Sequence, residues 1–444
     1  MSDKLVDLDQ KHFIHPTSSV QQQQQEGPAF IFEKGEGIYL TDTKGETYID
    51  AMSSLWNVNI GHGRSELAEA SKAQMEKLAF SSAFSTFSHE PAIRLAEKIA
   101  SIAPESLSAV FFTSGGSEAN DSAFKLARHY WRLKGEPERR KILSRKKAYH
   151  GVAAASTSAT GIPEFWDMAG TFMPDFIHAE TPYEKSTKEA IDSMRQVIED
   201  EGPETIAAFI AEPVQGAGGV IIPPDDYFKE VRKLCDEYGI LFIADEIITG
   251  FARTGTMFGM ENWGVTPDLM TFAKGVTSGY IPFGGVIISD AIHEMLKQSS
   301  GTLFHGFTYS GHPTSSAVAL KNIEILEEEN LAENSRKMGE RLLKGFQQVK
   351  ENTNIVGDVR AIGLLGAVEL VKDPATNEHF PADWKVVSKA IKALHNRGII
   401  CRSVAFDDTD IICFSPPLII NEDQIDTIIE NVQEAVLEVE KEIK

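Results

Sequence analysis

The sequence predicts an α/β protein, a large domain with a mostly parallel sheet covered by helices followed by a smaller α+β domain. Three observations lead there. Between residues 108 and 288, short apolar runs alternate with stretches of helical spacing, as in strands joined by covering helices. Two of these runs, 240–244 and 269–273, each end on one charged residue, Asp245 and Lys274. Ligands of open α/β sheets sit beyond such strand ends. Past Pro313 the texture changes to charged helices separated by short strand candidates.

In chain order, residues 1–30 are polar and include the glutamine run 21–25, which buries little surface; a mobile or draped arm is expected. Residues 37–40 and 47–49 flank the polar TDTKG and predict a hairpin. Leu67, Ala70, Met75 and Leu78 give 65–78 a helical spacing, and Ile93, Leu95, Ile99 and Ile102 do the same for 91–102. A strand at 109–113, a turn at 114–116 and a helix from Ser117 follow, then strands at 141–144 and 206–211. Tyr227, Phe228, Val231, Leu234, Cys235 and Tyr238 share one face of a helix over 225–238, with Gly239 as its stop. The strands at 240–244, 269–273 and 284–288 complete the large domain. Helices are expected over 315–330 and on to Gln348, strands at 362–370 and 399–401, and a final amphipathic helix from Glu422. The expected division is 1–55 for the arm and part of the small domain, 56–313 for the large domain and 314–444 for the rest of the small one. No internal repeat is visible.

Composition narrows the function. The 444 residues are 42% hydrophobic and 24% charged, the balance of a soluble globular chain. A formal net charge of -22 opposes binding to nucleic acid or anionic membrane, though not to a phosphate in one local pocket. Cys235, Cys401 and Cys413 form no CxxC, so neither a disulfide frame nor a zinc site follows. The N-terminus lacks a basic start followed by an apolar run, and no stretch approaches the roughly 18 apolar residues of a membrane span. A cytoplasmic protein is expected.

Asp245 and Lys274 at two strand tips suit a pyridoxal phosphate site, where a lysine forms the Schiff base and an acid keeps the pyridinium protonated. A buried ion pair would leave the same trace. Ser114-Gly115-Gly116-Ser117 follows a strand and opens a helix, which makes it a phosphate seat or an ordinary helix cap. Neither GxxxxGK[ST] nor GxGxxG occurs. Tyr149 could stack on a planar ring, and His150 beside it reads as a structural hydrogen-bonder. Glu212 stands at another strand end, facing solvent or holding a polar group. The acids Asp407, Asp408 and Asp410 read as a solvated loop, and His305 and His312 lack a third ligand, so no metal site is expected.

Taken together, the motifs SGGSEAN (114–120), AYHG (148–151), AEPVQGAGG (211–219), ADEIITGFARTG (244–255), FAKG (272–275) and HGFTYSGHP (305–313) closely resemble those of the class III pyridoxal-phosphate aminotransferases. The resemblance covers nearly the whole chain. It implies the fold type I architecture and a homodimer with shared active sites, with further pairing into a tetramer left open. It also implies that Lys274 binds the cofactor, Asp245 pairs with its ring nitrogen, Ile247 and Tyr149 cover its two faces, and Gly116 and Ser117 take the phosphate. Glu212 is placed beside the cofactor, and Thr308 would reach the phosphate of the partner's cofactor.

Within the family, Leu55-Trp56-Asn57-Val58-Asn59, Phe84 and Ile400-Cys401-Arg402-Ser403 resemble the ω-amino acid–pyruvate subgroup. There Trp56 and Phe84 would be pocket walls, and Arg402 would swing in to bind a carboxylate through its planar fork. As isolated residues, the two aromatics read as core and Arg402 as a surface ion pair. The implied reaction moves an amino group from β-alanine, taurine, another ω-amino acid or an arylalkyl amine to pyruvate. Ser-Pro-Pro at 415–417 stands where other branches carry a different carboxylate-binding arginine, which argues against ornithine or 4-aminobutyrate with 2-oxoglutarate. The rivals are the adenosylmethionine-dependent 8-amino-7-oxononanoate aminotransferase of biotin synthesis and a cofactor-binding homologue that does not transaminate.

Overall fold

The computed structural model describes residues 2–168, 170, 172–406 and 409–443. Three strands form early, β1 (Phe32–Glu36), β2 (Tyr39–Asp42) and β3 (Thr47–Asp50). The large sheet takes β4 (Leu107–Thr113), β5 (Lys141–Arg145), β6 (Phe176–Ala179), β7 (Ile206–Ala211), β8 (Leu241–Asp245), β9 (Leu269–Phe272) and β10 (Gly284–Ser289) in the order β4-β10-β9-β8-β7-β5-β6. Neighbours from β9 through β6 are parallel, and only β10 runs antiparallel to both its partners. The expected mostly parallel sheet is therefore present. Its central strands β7, β8, β9 and β10 are buried along their whole length, which is why they read as continuous apolar runs rather than alternating ones.

Both faces are covered. The helix Gly116–Leu133 lays Ala119, Ala123, Leu126 and Ala127 against one face, where small side chains allow a close approach. The helices Thr187–Glu201 and Tyr227–Tyr238 cover the other, where Phe228 stacks near Phe242 at 6.0 Å. Gly239 ends the second of these at φ 64, the left-handed conformation expected of a helix stop.

The C-terminal part holds β11 (Val356–Ile362), β12 (Leu365–Leu370), β13 (Ile399–Ile400), β14 (Arg402–Val404) and β15 (Asp410–Phe414). An antiparallel sheet β11-β12-β15-β14 packs on the helices Leu331–Glu351 and Val386–Asn396, and the helix Glu422–Ile443 packs on those two. Strand β13 crosses to the N-terminal sheet and pairs parallel with β3, so the two ends of the chain share one sheet. No described helix is long and apolar enough to cross a membrane.

Three expectations change. The N-terminal residues form helices, Ser2–His12 and Val20–Glu26, instead of a loose arm. Gln23 of the glutamine run is buried, and its amide donates to the Phe13 carbonyl at 2.6 Å and to Asp9 Oδ1 at 3.1 Å. The Ser19 hydroxyl caps the second helix by accepting from Gln22 N at 3.2 Å. The single strand expected over 362–370 is the hairpin β11–β12, which turns at Gly363 with φ 50. Asp410 is buried at the start of β15 and accepts from Val387 N at 2.9 Å, so it does not belong to a solvated loop. Asp407 and Asp408 lie outside the described residues.

Candidate active site

Strands β8 and β9 are parallel neighbours with Asp245 opposite Thr271, so the acid and the lysine that follows β9 emerge side by side. Directly after the strand, a short turn, Lys274–Thr277, lifts Lys274 over the sheet edge. Its backbone sits at φ 44, a left-handed conformation that costs a branched or long residue about 1–3 kcal/mol and persists only where its surroundings enforce it. Here Asn322 Nδ2 enforces it by donating to the carbonyls of Gly275 and Val276, each at 2.9 Å.

Asp245 is buried and nearly saturated on one side. Its Oδ2 accepts from Asn120 Nδ2 and from His150 Nδ1, both at 2.8 Å. Asn120 is held in turn, accepting from Thr271 Oγ1 at 2.8 Å and donating to the His150 carbonyl at 2.7 Å. Among the described residues Oδ1 accepts only from Ile247 N, at 3.1 Å, which leaves it the oxygen with room for one further donor. The buried Nε2 of His150 has no partner.

The Lys274 amine has no hydrogen-bond or ion-pair partner among the described residues; it lies 5.8 Å from the Trp56 ring centroid. Burial pushes it down to about 8, against the pull of Asp245 and Glu212, with the Arg402 charge adding to the depression. Burial pushes Glu212 up to about 7, while His150 opposes the rise and Asp245 adds to it. Both Glu212 oxygens are engaged, accepting from Tyr149 N at 3.0 Å and Gly216 N at 3.1 Å. Glu212 thus shapes the loop that carries Tyr149, a more specific use than facing solvent.

At the start of the helix Gly116–Leu133, Gly115 is extended and a Cβ there would meet nothing within 4 Å. The next two residues, Gly116 and Ser117, open the helix and line a cavity, where backbone amides at a helix N-terminus can seat an anion. The cap expected there is not a side-chain one: Gly115 is the N-cap, and Glu118 reaches back instead, its Oε2 accepting from Ser114 N at 2.8 Å. A Cβ on Gly116 would stand 2.8 Å from Ile247 Cδ1, and one on Gly151 would strike Ser117 Oγ. Tyr149 packs its ring edge-on to Phe165 at 5.2 Å, and burial raises its phenol above the usual range.

A cavity brings together Gly116, Ser117, Tyr149, Glu212, Asp245, Ile247 and Lys274, along with His150, Gly151 and Ile248. Trp56 and Arg402 stand at its edge, the guanidinium carbon 5.4 Å from the indole centroid. Among the described residues no carboxylate pairs with Arg402, in contrast to the surface ion pair its sequence context also allows. Phe84 and Thr308 are exposed and do not line the cavity of this chain; a Cβ on Gly306 would stand 2.9 Å from Phe84 Cζ. Asn120 was legible only as a motif letter. Its place four residues after Gly116 puts it one helical turn along the same face, the available signal that it also serves the site.

These residues fit pyridoxal phosphate. An amine without a partner faces the cavity, a buried carboxylate keeps one oxygen lightly used, and the cavity adjoins a helix N-terminus where a phosphate needs it.

Comparisons with known proteins agree with the geometry. The family model described as "Aminotransferase class-III" matches residues 20–436. A putrescine–pyruvate aminotransferase of Pseudomonas aeruginosa is 43% identical over 433 residues, covering 95% of this chain and 93% of the relative. The crystal structure of a transaminase from the marine bacterium Virgibacillus is 66% identical with a TM-score of 0.98, covering 99% of this chain and 100% of the other. An amine transaminase from an uncultivated Pseudomonas species, solved in its PLP-bound form, is 36% identical with a TM-score of 0.92, covering 96% and 99%.

Proposed function

Because the chain belongs to the class III aminotransferases and uses pyridoxal phosphate, we propose that it carries an amino group from a terminal primary amine to pyruvate, releasing alanine. The donors are ω-amino acids such as β-alanine or taurine, arylalkyl amines, and short diamines of the kind named for the Pseudomonas aeruginosa relative. The observation that carries this reading is Arg402, a half-buried guanidinium without a carboxylate partner, stacked on Trp56 beside the Lys274 amine. Such a group is available to a substrate carboxylate and, when turned aside along the indole, leaves an apolar wall for a neutral amine.

The bound cofactor supplies an electrophilic carbonyl and a cationic ring that accepts the electrons left when a proton departs. The chain's own residues do the rest. Asp245, held by Asn120 and His150, would hold the ring nitrogen through its lightly used carboxylate oxygen and keep that nitrogen protonated. Lys274, with a depressed affinity for its own proton, takes one from the carbon bearing the amine and returns it on the other side of the exchange. Arg402 orients the carboxylate of pyruvate or of an acidic donor. Donor and acceptor use the same site in turn, giving ping-pong kinetics.

The active form is proposed to be a homodimer. Exposed Phe84, Phe87, Ile93 and Phe304, the last 94% accessible, support a covering second copy, and Thr308 lies on the same exposed segment as Phe304.

The test is a spectral titration of the holoenzyme with β-alanine, taurine, putrescine, an arylalkyl amine and S-adenosylmethionine, followed by a choice of pyruvate or 2-oxoglutarate. Loss of the cofactor's visible band with one of the first four, and alanine formed from pyruvate, is the expected result. A response to S-adenosylmethionine alone would move the protein to the biotin-type reaction, and no response at all would make it a non-transaminating homologue.

A further inference from the structure

Arg253 is fully buried, yet no carboxylate among the described residues touches it. Its four hydrogen bonds go to neutral oxygens: Leu364 O at 3.1 Å, Pro416 O at 2.5 Å, Ser53 Oγ at 3.1 Å and Asn59 Oδ1 at 2.8 Å. A buried guanidinium normally pairs with an acid, because leaving water is otherwise uncompensated. Here the compensation comes from three segments, while Nε keeps no partner among the described residues, and two of the acceptors, Ser53 and Asn59, bracket Trp56.

The bracketed loop is unusual in its backbone. Ser53, Ser54 and Trp56 all have positive φ, at 46°, 57° and 57°. Residues without the freedom of glycine hold such angles only where tertiary contacts impose them. From one side the buried Asp50 carboxylate accepts from Met52 N at 3.2 Å, from Ser54 N at 2.8 Å and from His62 Nε2 at 2.8 Å. From the other side Arg253 takes the side chains of Ser53 and Asn59. Asn59 also donates to the Phe251 carbonyl at 2.7 Å, and a Cβ on Gly275, next to Lys274, would lie 2.6 Å from its nitrogen.

We propose that Arg253 is a positioning residue for the substrate pocket: with Asp50 it clamps loop 53–59 in its left-handed form and so sets where Trp56 lies against Lys274 and Arg402. The inference rests on the aminotransferase reading only for its kinetic consequence. A lysine reaches at most part of this four-way set, since its ammonium is a point and not a planar fork.

The experiment compares Arg253→Lys in the native and Trp56→Ala backgrounds, with hydrogen exchange on the holoenzyme. The expected result is a rise in KM for an arylalkyl amine of about tenfold with kcat changed less than about threefold. In the Trp56→Ala background the same substitution is expected to alter KM by less than about twofold, because the route through the indole is gone. The amides of Met52 and Ser54 are expected to exchange at least about tenfold faster. Equal KM effects in both backgrounds would overturn the proposal, as would unchanged exchange at those amides. Should no amine be turned over, faster exchange still supports the clamp while the substrate reading fails by itself. If Arg253→Lys does not fold, Ser53→Ala removes one acceptor and keeps the charge; the same shifts, smaller, are expected, and their absence overturns the proposal.

Discussion

Lys274 meets its surroundings in two opposing ways, and the balance sets a pH dependence. Burial outweighs the attraction of Asp245 and Glu212, so the amine loses its proton near about 8, below the usual lysine range. Cofactor uptake by the apoprotein, which needs the neutral amine, is expected to quicken from pH 6, reach half its limit near pH 8 and level off above it. Stability follows the same group. Its affinity for a proton is lower folded than unfolded, so between the two values the unfolded chain holds more protons and apoprotein stability rises with pH. Lys274→Ala is therefore expected to abolish the visible cofactor band and turnover, yet to raise the apoprotein Tm most below pH 8, an advantage that fades toward the unfolded lysine value. Arg402→Ala is expected to lower kcat/KM for β-alanine and pyruvate by about ten- to a hundredfold, the loss of a charge-assisted pair, while sparing the half-reaction of a neutral amine. Equal losses for both donor types would count against a mobile arginine.

Strands and helices differ in how plainly the sequence announces them. The central strands β7 to β10 were legible because both faces are buried, and Ser65–Leu78 and Glu90–Ile102 because one face is. Strands β6 and β14 were not, since three or four mostly half-buried residues give neither a continuous apolar run nor enough length for periodicity. The two N-terminal helices were hidden for another reason: Gln23 is buried through hydrogen bonds and not through apolar contact, which no hydrophobic pattern reports. Of the site, the strand-tip pair and the glycine turn could be read directly. The Asn120–Asp245–His150 network could not, because its members are 30 to 125 residues apart. Packing between elements makes a prediction of its own. A Cβ on Gly339, in the helix Leu331–Glu351, would collide with the carbonyl of Gly363 at the β11–β12 turn, where a Cβ would in turn fall 2.4 Å from the backbone of Thr254. Backbone on both sides leaves nothing to yield, so Gly339→Ala is expected to destabilise by about 1–3 kcal/mol, read as a fall in the urea midpoint.

The molecule as a whole joins its two ends through β13 and β3, and the site lies where the N-terminal loop, the large sheet and the C-terminal sheet meet. A ligand that binds only this assembled arrangement stabilises all three at once. Added pyridoxal phosphate is expected to raise the Tm in proportion to the logarithm of its excess, by about 2.7 kcal/mol of stability at a hundredfold excess over Kd. A concentration-independent Tm in a calorimetric series would contradict a site built from three parts. The net charge of -22 bears on assembly: two such chains repel, so the exposed aromatic patch around Phe84 and Phe304 has to overcome that repulsion. Sedimentation is expected to show the dimer tightening as ionic strength rises.

The left-handed backbone at residue 274 has one more outcome, for protein engineering. Glycine is at ease where lysine is held against its preference, so Lys274→Gly should fold more readily than Lys274→Ala and leave a vacant slot lined by Trp56 and Asp245. Methylamine or ethylamine from the buffer can enter that slot, and chemical rescue of turnover by such free bases, graded by their size and basicity, would turn the tethered amine into an exchangeable reagent.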